Sequence, residues 1–181
     1  MTNNSLSINN KLFREFKDLF VQHHVPSKVL LLREGQISNK LYLIEEGCVR
    51  LWFNNNGKDV TFQFFFEGEG VSSIESFRLN QPSLFNIETI EPSVIWELSK
   101  ANFLKIQDKS SRMRAQLEEI TFQRLITYQK LFLSRIKENP QERYEQLLLH
   151  NPEIIKRVPQ HYIASYLGIS PVSLSRIRNR K

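Results

Sequence analysis

Residues 159–181 read Pro159-Gln-His-Tyr-Ile-Ala-Ser-Tyr-Leu-Gly-Ile-Ser-Pro-Val-Ser-Leu-Ser-Arg-Ile-Arg-Asn-Arg-Lys181. Pro159 has a fixed φ that suits the first turn of a helix. Ile163 and Leu167 give that helix one apolar face, and Ala164 is small enough for a second helix to cross it closely. Gly168 stands where the chain must turn sharply, because glycine tolerates positive φ. Ser170-Pro171 starts a second helix: the serine oxygen caps it and the proline fits its first position. In that helix Leu174 and Ile177, with Ile169 just ahead, point to a core, while Val172, Ser173, Arg176 and Arg180 share the outer face. Two short helices joined by a tight turn, the second with a basic outer face, follow the plan of a helix-turn-helix whose second helix enters the DNA major groove. The pattern predicts a bidentate contact from Arg176 to guanine. Arg178, Arg180 and Lys181 are expected at phosphates. Gln160, His161, Ser170, Val172, Ser173 and Ser175 complete the expected contact surface. The competing reading is an ordinary helical hairpin with a solvated basic face.

The charge distribution favours the first reading. From Ile154 to Lys181 the chain has six basic residues (Lys156, Arg157, Arg176, Arg178, Arg180 and Lys181) and no acidic one. These six match the net charge of +6, so residues 1–153 are neutral. A basic excess confined to one end points to a polyanionic partner, here double-stranded DNA.

Upstream the periodicity changes twice. Asn10 is placed to cap a first helix running to about His23, with Leu12, Phe13, Phe16, Leu19 and Phe20 on one face. Val25-Pro26-Ser27 ends it. Short segments rich in β-branched and aromatic residues follow: Val29–Leu32, Leu41–Glu45, Cys48–Phe53, Asp59–Phe66, Phe85–Glu91 and Val94–Leu98. Between them lie Glu34-Gly35, Glu46-Gly47, Asn56-Gly57 and Gly68-Glu69-Gly70, which are turn signals. Many short strands at this spacing predict an antiparallel sandwich or barrel. Ser99 then reads as a helix cap. From there to about Lys137 the chain lacks proline and glycine, which predicts a long helix with a break near Asp108–Ser111. Its apolar residues occupy more than one face, so it needs two neighbours, its own β domain and a second subunit. Arg124 and Thr127 interrupt the heptad. Asn139-Pro140 ends the helix, a shorter one spans Glu142 to about His150, and Asn151-Pro152 breaks again.

In this order the segments resemble the Crp/Fnr family of bacterial transcription regulators from about residue 12 onward. The resemblance rests on Gly35 and Gly47 in Leu32-Arg-Glu-Gly-Gln and Leu41-Tyr-Leu-Ile-Glu-Glu-Gly, and on the long helix after the sheet. It rests equally on Ala164, Leu167-Gly168-Ile169-Ser170 and Ser175-Arg176-Ile177. The chain is most similar to short Bacteroidetes-type members, which carry Glu-Arg-Tyr before the motif, here Glu142-Arg143-Tyr144. The resemblance implies an α+β fold with three parts. Residues 1–108 form a cyclic-nucleotide-binding-like, jelly-roll-like β-roll with an N-terminal helix. Residues 109–138 form a dimerisation helix, and residues 139–181 form the helix-turn-helix domain. It implies a homodimer on DNA and RNA polymerase as a further partner.

The family's cyclic-nucleotide cassette uses Gly-Glu to hold the ribose and Arg-Ser to neutralise the cyclic phosphate. Alignment puts Ser72-Ser73 opposite Gly-Glu and Ser83-Leu84 opposite Arg-Ser. The candidate pocket is Ser72, Ser73, Glu75, Arg78, Ser83 and Leu84, and a buried phosphate without a cation is poorly compensated. The expectation is therefore a sensor whose effector is absent, or is a small molecule other than a cyclic nucleotide. The alternative is cyclic-nucleotide gating through an atypical site that recruits Arg78. No cofactor or metal is expected. Cys48 is the single cysteine, too few for an iron–sulfur cluster, and it reads as a small buried hydrophobe. His23 and His24 fall in or just after the first helix, and His150 and His161 near the final motif. A metal-dependent β-barrel enzyme of cupin type needs histidines on its strands. None occurs between Val25 and Leu149, so the expectation is a non-enzyme. The longest apolar runs fall far short of the ~20 residues of a membrane span, and a cytoplasmic location is expected.

Overall fold

The computed structural model describes residues 11–179. The cap expected of Asn10 and the contacts expected of Arg180 and Lys181 lie outside them. The fold is α+β: two antiparallel sheets form a β-roll, and helices follow.

The N-terminal helix is present but far shorter than expected. Helix α1 (Lys11–Glu15) is followed by a 3-10 turn (Lys17–Leu19), and the chain then enters strand β1 (Phe20–Val25). His23 and His24 therefore lie on a strand, not a helix. The reason is tertiary pairing. Strand β8 (Ser93–Ser99) takes β1 as an antiparallel partner, from Phe20 opposite Leu98 to Val25 opposite Ser93. The ladder outweighs the local helical period. Part of the predicted aromatic set still packs together: Phe13 meets Phe20 and Trp96 edge to face.

The remaining strands are β2 (Leu30–Leu32), β3 (Lys40–Glu46), β4 (Val49–Asn55), β5 (Lys58–Phe65), β6 (Gly70–Val71) and β7 (Asn86–Thr89). One sheet runs β1-β8-β3-β6 and the other β2-β7-β4-β5. Their shared core takes Tyr42, Ile44 and Ile95 from the first sheet and Leu32, Val49, Leu51, Phe65 and Ile87 from the second. Residues between these on β3 and β8 face the other way, as strand alternation requires. There Leu43 and Trp96 pack under Phe13, and Leu98 packs with Ile106 and Met113 from the following helices. The β4–β5 hairpin turns on Asn56-Gly57, both at positive φ, between the paired residues Asn55 and Lys58. This is the geometry that a two-residue hairpin of right-twisted strands needs.

A short helix α2 (Ile74–Leu79) interrupts the roll. After it come α3 (Lys100–Lys109) and α4 (Ser111–Lys137), separated at Ser110 where the sequence predicts a break. Local caps set these boundaries. The Ser99 hydroxyl accepts from Asn102 N, and the Ser110 hydroxyl from Met113 N. Helix α5 (Pro140–His150) opens on a reciprocal cap between Asn139 and Glu142. Helix α6 (Pro152–Arg157), absent from the sequence reading, starts on the proline read there as a break. Helices α7 (Gln160–Leu167) and α8 (Pro171–Asn179) complete the chain.

Candidate nucleic-acid interface and sensor loop

Helices α7 and α8 pack through Ile163, Ala164, Leu167 and Leu174, all at most 3% exposed. Pro159 stands just before α7 as its N-cap residue, one position earlier than the sequence reading puts it. Gly168 takes φ 71°, and Ile169 N donates back to the Ala164 carbonyl at 3.0 Å. That six-residue closure ends a helix on a left-handed glycine and aims the chain into the next one. Ser170 caps α8: its hydroxyl accepts from Ser173 N at 3.1 Å. Gln160, His161, Ser170, Val172, Ser175, Arg176 and Arg178 are exposed, and Ser173 is half-buried. Val172 is 62% exposed on the same outer face as Arg176.

The sequence reading missed how α7 sits on the roll. The outer face of the second sheet carries Arg50, which is 2% exposed. Its Nε donates to Glu88 at 2.6 Å, Nη1 to Thr61 at 3.2 Å and Nη2 to Asp59 at 3.2 Å. Trp52 covers the guanidinium at 4.7 Å and Tyr162, from α7, at 3.9 Å. Nearby, the Ser165 hydroxyl accepts from Thr61 N and donates to the Asp59 carbonyl, both at 2.9 Å. A third contact joins Arg157 to Glu67 and Glu91. The Arg157 hydrogen bond holds the Glu67 carboxyl below its ordinary range, and burial pushes the neighbouring Glu69 up. An apolar cluster runs across the same joint, with Cys48, Phe64 and Ile90 from the roll meeting Tyr144, Leu147, Ile154 and Val158. Cys48 is fully buried just before β4, and burial raises its thiol. No pairwise sequence pattern announces this joint, because its partners are far apart in the chain.

The structure brings three of the six candidate pocket residues together. Ser72, Ser73 and Ser83 are buried. The Ser83 hydroxyl donates to Ser73 at 2.9 Å. Ser72 donates to the Lys40 carbonyl and meets the Ser38 hydroxyl. These hydroxyls bond to one another and to the main chain. Glu75, Arg78 and Leu84 are exposed instead. Phe77 is buried edge to face against Phe103, and Phe85 packs on Phe62.

Residues 22–110 match the cyclic nucleotide-binding domain family. The β-roll is similar to a cyclic nucleotide-binding domain. A cAMP-dependent protein kinase regulatory subunit from Blastocladiella emersonii is 26% identical over 120 residues, which cover 61% of this chain and 30% of that protein. The chain thus spans under a third of that relative's length. Among solved structures, FixK2 from Bradyrhizobium japonicum superposes with a TM-score of 0.75 at 16% identity, over 89% of this chain and 83% of that one. A transcriptional regulator of the Crp/Fnr family from Eubacterium rectale gives 0.70 at 17% identity, over 93% and 81%. Likeness at these identities is likeness of fold. It covers the helices after the β-roll as well as the roll itself.

Proposed function

We propose that the chain is a dimeric, sequence-specific DNA-binding transcription regulator of Crp/Fnr type. In this reading residues 1–108 form the sensor domain, residues 109–138 the dimerisation helix and residues 139–181 the DNA-binding domain. The observation that carries it is the exposed face of α8. Val172, Arg176 and Arg178 stand clear of the roll on a helix capped by Ser170, in a stretch with no carboxylate after Glu153. Such a helix fits the major groove, with side chains near its N-terminus at base edges and flanking cations at phosphates. Dimerisation is supported by α4, whose Phe122, Leu125, Phe132 and Ile136 are each more than half exposed. These residues recur on one side of the helix, and a second copy covers them. RNA polymerase and an effector are further partners in this reading. Among the described residues no helix is long and apolar enough to cross a membrane.

The test is selection of genomic fragments by the purified protein, followed by affinity for the recovered site across a salt series. The expected result is a two-fold symmetric site with half-sites about 34 Å apart, and affinity that falls steeply with salt as counterions are released. Recovery of no shared sequence sinks the reading.

The family match of residues 22–110 favours a second reading, gating by a cyclic nucleotide. It requires a cation at the phosphate, and the one arginine of the loop between Val71 and Leu84, Arg78, is exposed on α2. Binding this ligand requires a rearranged loop, which makes it the weaker reading.

A further inference from the structure

A cleft of about 430 Å³ opens between the C-terminal half of α4 and helices α5 and α7. Thr127, Leu131 and Ser134 line it from α4. Leu125, Phe132 and Ile136 lie about half a turn round the same helix, at 100° per residue. A second copy seated on that apolar stripe therefore leaves the cleft open.

Cations converge on this space. Arg135, Arg143 and Lys130 line it, and Glu138 is the one carboxylate of its lining. Glu138 is engaged by the Ser134 hydroxyl at 2.6 Å. Arg50, Arg124 and Arg157 each sit against a carboxylate. Arg135 and Arg143 bond only neutral carbonyls among the described residues. Arg143 Nη1 donates to Glu138 O at 2.5 Å and Nη2 to Leu167 O at 2.9 Å, and Arg135 donates to Tyr166 O. Arg143 Nε is buried with no partner. Among the described residues neither guanidinium is ion-paired to a carboxylate, Glu138 included, and two neighbouring cations repel each other. Partial desolvation of its guanidinium at the cleft wall first, and then the Arg143 charge, pulls the otherwise exposed Arg135 below its ordinary value.

We propose that this cleft binds a small phosphorylated metabolite, its phosphate held by Arg135, Arg143 and Lys130. A phosphate offers several acceptor oxygens to two guanidiniums at once, and each such charge-assisted bond is about twice as strong as a neutral one. The organic part of the ligand lies along Leu131, Leu147 and Tyr166. The volume falls within the usual range for small-molecule sites. A ligand here touches α4, α5 and α7 together, and so fixes the angle between the long helix and the last two helices. That consequence rests on the DNA-binding reading; the binding itself does not.

The test is calorimetric titration of the full chain, without DNA, with pyrophosphate and with inorganic phosphate at constant ionic strength. Saturable binding of one pyrophosphate per chain is expected. Arg135→Gln should weaken it at least tenfold, and Lys130→Gln several-fold; both side chains are exposed, so neither change should unfold the protein. Arg143→Lys keeps the charge and loses the fork, and should weaken binding too. The double variant Arg176→Ala, Arg178→Ala should bind as the parent does, which separates the cleft from the basic face of α8. Non-saturating heats, or an Arg135→Gln variant with parental affinity, overturn the proposal. Neither result bears on DNA recognition, which the titration does not involve.

Discussion

The ring of Tyr162 lies 3.9 Å from the guanidinium of Arg50, a charge buried beneath helix α7. The two residues come from different parts of the fold and make the joint between them. A desolvated cation–aromatic contact contributes about 2 kcal/mol. Tyr162→Ala should lower stability by roughly that amount, and Tyr162→Phe by much less, because the ring makes the contact. Arg50→Ala should cost more, about 3–5 kcal/mol, since it strands the buried Glu88 carboxylate. Denaturant titration of the three variants decides the order. Equal losses from the two Tyr162 variants would remove the ring from the account.

Acid should loosen the same joint through Glu67. Its carboxyl is held below the ordinary value of 4.5 by Arg157. A depressed carboxylate adds stability that is present above the unfolded value and lost as pH falls through the folded one. Glu69 has the opposite sign: burial raises it, so protonation favours the folded state. Glu67→Gln should therefore flatten the acid limb of a stability–pH profile, while Glu69→Gln should raise stability at neutral pH. A profile unchanged by Glu67→Gln would refute the assignment.

The exposed stripe of α4 predicts a dimer. Phe132 and Ile136 are 66% and 67% exposed, and Leu125 is 62%. Light scattering at micromolar concentration should give twice the chain mass, and the double variant Leu125→Glu, Phe132→Glu should give the monomer. A parent chain that remains monomeric on DNA would contradict the paired half-sites.

Arg176 should read sequence. Replacing it with alanine should lower affinity for the selected site by about 1–3 kcal/mol and relax specificity at one position. Arg178→Ala should weaken specific and non-specific binding alike and make the salt dependence shallower. Equal behaviour of the two would place Arg176 at a phosphate.

Cyclic AMP and cyclic GMP should show no binding in the low micromolar range. Ser73 and Ser83 already bond each other where the cassette needs a ribose anchor and a guanidinium. Serine hydroxyls donate hydrogen bonds but cannot neutralise an anion. Tight binding that Arg78→Ala abolishes would show that the loop rearranges.

Much of this architecture is legible in the sequence because it is local. The Ser110 break, the Ser170 cap and the Gly168 turn each depend on residues within a few positions of one another. Among the described residues, six of the eight strands follow from alternation and turn residues. Strand β1 does not, because its partner β8 lies some seventy residues on, between Val25↔Ser93 and Phe20↔Leu98. The short β6 and α6 carry too few residues for a period to show. The Arg50 site is hidden for a related reason: Arg50, Glu88 and Tyr162 come from three separate elements, and an arginine on a strand normally reads as solvent-facing. The exposed residues of α8 fit the expectation from spacing, whereas the cleft beside α4 depends on packing of three helices and has no linear signature.

Strand β5 is the open edge of its sheet, and the Ser165 hydroxyl bridges Thr61 N and Asp59 O along it. An unpaired edge is a template on which another polypeptide can add a strand. Here a single side chain from α7 occupies main-chain groups that such an intruder would use. The last helices thus shield the roll from edge-to-edge association. A shortened protein ending before α5 should stack through β5 into soluble aggregates, visible by light scattering, that the full chain does not form.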